Sequence, residues 1–120
     1  AHGTYNGTPK IDFDRLAEIK ERTKFPLVLH GSSGSGEENI RKACKLGINK
    51  VNVCVDILRA AAQKLQSSDL SGNHAYEIWD LAAEAVREAA KHQIALTGSE
   101  GKSFNIHTKG IITVKTSIME

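Results

Sequence analysis

The stretch Pro26-Leu27-Val28-Leu29-His30-Gly31-Ser32-Ser33-Gly34-Ser35-Gly36 limits the folds open to this chain more than any other. Its apolar part runs from Leu27 to Leu29 without alternation and is closed by Pro26 and Gly31. That predicts a short strand buried on both faces, as in parallel sheets. The Gly/Ser loop leads into a helix starting near Gly36: Ser35 and Glu38 are spaced as a capping box, and Ile40, Ala43 and Cys44 mark the apolar stripe. Gly47 falls where a helix ends on a left-handed residue. Val51, Val53 and Val55 alternate as a second strand, and Asp56 caps a third helix carrying Ile57, Leu58, Ala61 and Leu65. Strand, helix, strand, helix is the pattern of a parallel α/β sheet with right-handed crossovers.

The flanks extend this pattern. Asn6-Gly7-Thr8-Pro9 is a turn. Asp12 reads as the N-cap of a helix reaching about Arg22, with Phe13, Leu16, Ala17 and Ile19 at helical spacing. Ser67 to His74 is polar and loop-like. The longest helix runs from about Ala75 to Gln93, with Ile78, Leu81, Ala82, Ala85, Val86 and Ala89 on one face, and Gly98 and Gly101 end it. From Phe104 to Glu120 a weak alternation (Ile112, Val114, Thr116, Ile118) fits either an edge strand or a disordered tail. Two strands, with a third ending at Ala1, are too few for a parallel sheet, whose edges and faces need covering. Missing partners are therefore expected, from absent sequence or another chain. The opening Ala1-His2-Gly3, without Met, agrees with a piece of something longer.

At 120 residues the chain is expected to form one domain, and 16 Lys+Arg against 14 Asp+Glu give a formal charge of +2. No Lys/Arg cluster exceeds two adjacent residues, so nucleic acid is not an expected partner. Nor is a membrane, because no apolar run approaches the ~20 residues a span needs. No basic patch followed by an apolar stretch opens the chain, so no signal peptide is expected. Cys44 and Cys54 form no disulfide framework, which fits a reducing, cytoplasmic setting, and both read as small apolar residues.

Chemistry is expected where strands run into loops. His30 and Asn52 lie at such ends, and His2 shares the layer if a strand ends at Ala1. Histidines from neighbouring strand ends can converge on a metal ion, while a lone His is more often a hydrogen-bonded surface or core group. The loop Gly31 to Gly36 precedes a helix N-terminus. Free N–H groups, Ser hydroxyls and the helix dipole favour a phosphate there, against the plainer reading of a capped connection. It is no Walker A loop: the Lys-Ser/Thr pair is absent, and Glu37-Glu38 repel a nucleotide. His74, His92 and His107 read as solvated surface, and Lys10, taken by itself, as a surface charge.

Four ordered blocks carry a resemblance: Ala1-His2-Gly3-Thr4-Tyr5, Pro9-Lys10-Ile11-Asp12-Phe13, Pro26-Leu27-Val28-Leu29-His30-Gly31-Ser32-Ser33-Gly34 and Gly47-Ile48-Asn49-Lys50-Val51-Asn52-Val53. Together they resemble the C-terminal portion of the class II, zinc-dependent fructose- and tagatose-bisphosphate aldolases, from residue 1 to about Lys102. The resemblance implies an α/β fold, the last part of a (β/α)8 TIM barrel. It also implies reversible retro-aldol cleavage of a ketose phosphate to dihydroxyacetone phosphate and an aldehyde, a lyase step of carbohydrate metabolism such as glycolysis. One zinc ion per subunit is implied, as a Lewis acid for charge developing beside the ketone, together with a monovalent cation near the phosphate and a homo-oligomer.

By the same resemblance His2 and His30 are two of three zinc ligands. Gly3, Gly31, Ser32 and Ser33 hold the phosphate end, Asn52, Val53, Cys54 and Val55 complete the grip, and Lys10 is a further phosphate contact. The third zinc His and the general acid/base Asp belong to an N-terminal half that this sequence lacks, so the isolated chain is expected to be inactive. Residues 1–102 are the expected aldolase segment, and 103–120 a tail without counterpart. Val55 stands where such aldolases usually carry Thr; the missing hydroxyl removes a hydrogen bond worth about 0.5–1.5 kcal/mol net. The competing expectation is a non-catalytic phosphate-binding or half-barrel assembly module.

Overall fold

The computed structural model describes residues 9–102. The expected strand end at Ala1, the site candidates His2 and Gly3, His107 and the alternating tail all lie outside the described residues.

Asp12 starts helix α1 (Phe13–Arg22) as its sequence position suggests, its carboxylate accepting the Arg15 N–H at 2.9 Å. Asp14 in the first turn and Lys20 and Arg22 in the last complement the helix dipole. Leu16 is buried, and Lys42 of the next helix sits 4.1 Å above the Phe13 ring, a cation–π contact between the two helices.

Strand β1 (Leu27–Leu29), helix α2 (Glu37–Lys45) and strand β2 (Ile48–Val51) form one βαβ unit. The strands pair in parallel, Leu27 with Ile48, Val28 with Lys50 and Leu29 with Val51. The register slips between Leu27 and Val28, and there the Asn49 side-chain oxygen accepts the Leu27 N–H at 3.0 Å, replacing a ladder bond. The expected burial of β1 on both faces does not hold. Leu27 and Leu29 are half-buried on one face, while Val28 on the other is 43% exposed. A two-stranded sheet with its crossover helix covers one face only.

Three other boundaries differ from expectation. The capping box at Ser35 and Glu38 does not form. Gly36, at φ 85°, is the N-cap of α2 and has no side chain to donate or accept. Ser35, one residue earlier, is turned inward, and its carbonyl accepts the Asn39 amide at 2.7 Å. Val53 and Val55 do not extend β2: β1 ends at Leu29, whose carbonyl takes the Asn52 N–H at 3.0 Å, and no further ladder partner follows. Cys54 instead becomes the N-cap of α3 (Val55–Gln66), with Asp56 inside its first turn, 3.4 Å from Arg59. The polar stretch after α3 is partly ordered as a 3-10 turn (Gly72–Glu77), so helix α4 (Ile78–Leu96) begins and ends three residues later than its apolar spacing predicts.

Helix α4 ends in a Schellman motif, with Gly98 at φ 67°, its N–H on the Ala95 carbonyl, and the Ser99 N–H on the Ile94 carbonyl. It packs chiefly along α3, where Lys64 meets Glu84 at 3.2 Å, and its end touches α2, where His92 meets Glu37 at 2.8 Å. Among the described residues Pro9, Leu16, Ile40, Ala43 and Leu96 are the buried apolar side chains. Phe25, Leu58, Tyr76 and Trp79 stay largely exposed, the pattern of an element set built to lie against further structure.

Candidate active site

Both strands point their C-terminal ends at the same loop region, the place where parallel α/β folds gather binding and catalytic groups. β1 delivers His30 and then Gly31 to Gly36; β2 delivers Asn52, followed by Val53, Cys54 and the first turn of α3. The pairing of Leu29 with Val51 sets His30 and Asn52 side by side, and the Asn52 amide nitrogen lies 3.1 Å from His30 Nδ1. The Asn52 side-chain amide and the His30 ring therefore form a hydrogen bond whose direction depends on the ring's tautomer.

The Gly/Ser loop doubles back on itself. Gly31 and Gly34 take φ values of 61° and 82°, the left-handed region that glycine enters at least cost. The Ser35 N–H closes a turn on the Ser32 carbonyl at 3.1 Å. Ser32 is 1% exposed, and its hydroxyl donates to the Asn52 carbonyl at 2.9 Å, while Ser33 next to it is half-buried. Among the described residues the N–H groups of Gly31, Ser33, Gly34, Val53 and Cys54 find no backbone carbonyl. Such a cluster of N–H groups at one corner of the fold is the arrangement an anion uses. Pro9 is buried, and a Cβ on Gly34 would lie 3.8 Å from its ring, which brings the following, exposed Lys10 into the neighbourhood of the loop. Val55 is 47% exposed at the start of α3.

Of the sequence-named residues, the structure therefore assembles His30, Gly31, Ser32, Ser33 and Asn52 at one strand end, with Val53, Cys54 and Val55 following directly in the chain. Ser35 and Asn39, which tie the loop to α2, carried no sequence signal beyond a cap that does not form. His74 and His92 are exposed and paired with Glu77 and Glu37, at 2.9 and 2.8 Å. Perturbed ionisations lie elsewhere: burial pushes the Cys44 thiol up, the Ser71 backbone N–H holds Asp69 below the usual carboxylate range, and Lys91 does the same for Glu88. An open groove on α4 over Glu77, Asp80, Leu81, Glu84 and Arg87 shares no residue with the strand ends.

Among the described residues no three His, Cys, Asp or Glu side chains converge. What they contribute toward a zinc ion is His30, an exposed imidazole at a strand end oriented by an amide, which is donor chemistry that zinc takes. No described helix is long and apolar enough to cross a membrane.

Comparison with known proteins agrees with this geometry. The crystal structure of the YdjI aldolase from Escherichia coli K12 superposes with a TM-score of 0.71 at 30% identity, over 78% of this chain and 36% of that one. The chain thus spans about a third of the length of that neighbour. The profile of the family described as Fructose-bisphosphate aldolase class-II matches residues 1–102. With the match extending over most of its length, the chain belongs to the class II fructose-bisphosphate aldolase family.

Proposed function

We propose that this chain forms the last two strand ends of the active site in a zinc-dependent barrel aldolase that cleaves a ketose phosphate to dihydroxyacetone phosphate and an aldehyde. The reading rests on one observation above the rest: two side chains 22 residues apart, His30 and Asn52, meet at 3.1 Å at adjacent parallel strand ends, beside a loop whose N–H groups find no backbone carbonyl among the described residues. Zinc, when bound, supplies Lewis-acid stabilisation of the negative charge that carbon–carbon cleavage leaves beside the ketone. His30, with His2, would hold it.

The remaining steps belong to the chain's own groups. Gly31, Ser33, Val53 and Cys54 offer N–H donors, and Ser33 a hydroxyl, to the phosphate, fixing the end of the substrate that does not react. Gly3 and Lys10 add to that grip. Asn52 presents its amide between the phosphate end and the imidazole, where it donates to the oxygens that gain charge. A third imidazole and the carboxylate that moves the hydroxyl proton come from the rest of a barrel, which also covers the exposed face of β1. The complete enzyme is a cytoplasmic homo-oligomer.

Incubating the intact protein with fructose, tagatose and sorbose phosphates, and following dihydroxyacetone phosphate, tests the reading. Cleavage is expected, abolished by a chelator and restored by zinc. Chelator-insensitive protein that binds phosphate without cleaving any ketose would instead establish the non-catalytic module. Val55→Thr is expected to lower KM for the phosphorylated substrate about 2- to 10-fold, the worth of one added hydrogen bond. An unchanged or higher KM would rule out a phosphate contact at this position.

A further inference from the structure

Helix α4 has two apolar faces, and only one of them is covered. Ile78, Leu81, Ala85 and Ala89 are half-buried, and the helix packs chiefly along α3. Trp79, Ala83, Val86 and Ile94 recur at helical spacing on another side and are exposed, with Ala90 half-buried among them. Trp79 is 80% exposed, and Tyr76, just before the helix, 87%. Large aromatic side chains left in water at one end of an apolar stripe are the usual anchors of a protein–protein contact. Along the flank of this stripe, charge is sorted by position: Asp80 and Glu84 come first, then Arg87 and Lys91, all exposed. The helix dipole accounts for Asp80 in the first turn, but its influence fades within one turn, and the last turn holds no basic residue. Lys64 of α3 meets Glu84, and Glu88 meets Lys91, whereas Asp80 and Arg87 make no ion pair among the described residues. Two helical turns separate Asp80 from Arg87, too far for them to pair within one helix.

We propose that this face of α4 docks on the same face of a second copy of the chain, the two helices running antiparallel about a two-fold axis. Reversing the direction is what makes the surface complementary to itself. With the axis between Ala83 and Val86, Arg87 of the second copy falls between Asp80 and Glu84, and Lys91 of the second copy falls beside Asp80. The same register lays Trp79 over Ala90 of the second copy and Val86 over Ala83 of the second copy, large side chains against small ones. A parallel pairing would instead bring Asp80 and Glu84 up against their own copies, like charge on like. A face made to pack on a different surface, the rest of a barrel included, has no need to complement itself in this way. The proposal names the contact behind the homo-oligomer of the proposed function and rests on that part of the reading alone; metal and substrate do not enter it.

The test follows the mass of the intact protein by analytical ultracentrifugation over a dilution series. The wild type is expected to be an oligomer with an even number of copies. Arg87→Glu sets a further acid between Asp80 and Glu84, and Asp80→Lys sets a base against Arg87 and Lys91 of the second copy. Each is expected to weaken one association step about tenfold or more, so that the mass halves on dilution where the wild type stays assembled. Trp79→Ala is expected to do the same by removing the anchor. The double variant Asp80→Lys with Arg87→Glu regains the wild-type mass, and so does an equimolar mixture of the two single variants, because opposite charges again meet across the axis. All these side chains are exposed, so helical circular dichroism close to wild type is expected throughout. A wild type that is monomeric overturns the proposal and the homo-oligomer together. An oligomer whose mass is indifferent to the single variants, or one that neither the double variant nor the mixture restores, overturns the proposal and leaves the homo-oligomer standing. A lowered melting temperature at unchanged mass would assign the face to another part of the same polypeptide, and it too overturns the proposal.

Discussion

His30→Ala in the intact protein is expected to remove bound zinc and to lower kcat/KM for ketose phosphate cleavage by about 10³-fold or more. The magnitude follows from what the imidazole is asked to hold. Lewis-acid stabilisation of a developing oxyanion contributes several kcal/mol, and each 1.4 kcal/mol is a factor of ten in rate. The fold itself should tolerate the change: His30 is exposed, follows the last residue of β1, and contributes no apolar burial. A melting temperature close to wild type, together with lost metal and lost activity, is the expected combination. His74→Ala and His92→Ala serve as controls, because both rings are exposed and, among the described residues, pair with exposed glutamates. They should leave kcat/KM within about twofold. If His30→Ala kept its zinc and its rate, the strand-end site would not be where the chemistry occurs.

The largest effect on stability is expected at Gly47, with Gly47→Ala costing about 1–3 kcal/mol in chemical denaturation. Gly47 follows the end of α2 at φ 117°, a conformation that residues with a Cβ rarely adopt, and its N–H returns to the Cys44 carbonyl at 3.2 Å. A Cβ placed there would also lie 2.8 Å from Lys20 Cδ and Cε, but these atoms belong to a flexible side chain that can move away. Backbone strain is therefore the dominant cost. The double variant with Lys20→Ala separates the two: the loss at Gly47→Ala should persist in that background, and its disappearance would assign the cost to the side-chain clash. Because Gly47 delivers the chain directly into Ile48 at the start of β2, strain here also bears on the register that sets Asn52 beside His30.

How far the sequence could be read depended on the range of the interaction involved. Asp12 was legible as a cap because its partner, the Arg15 N–H, is three residues away. The stripe of α4 was legible for the same reason, as was the positive φ at Gly47. The length of β2 was not: the valine alternation through Val53 and Val55 is sound strand chemistry, but β1 offers no partner past Leu29. Ser35 likewise had the composition of a capping box and lost that role because the backbone turned at Gly36, leaving Ser35 inside. The exposure of Val28 reflects what lies against the sheet, which no local pattern encodes.

The sequence by itself determined the alternation of helices and strands, the family to which the chain belongs, and the residues, His30 and Asn52 among them, that stand at strand ends. Only the tertiary structure decided that the Asn52 amide reaches the His30 ring, that the Ser32 hydroxyl is spent on the Asn52 carbonyl while Ser33 is not, and that one face of β1 is uncovered within the described residues. The reason is geometric. Helical spacing and turn conformations are fixed by neighbours within about four residues, whereas a contact between groups 20 or 22 residues apart exists only once two strands have paired in a particular register.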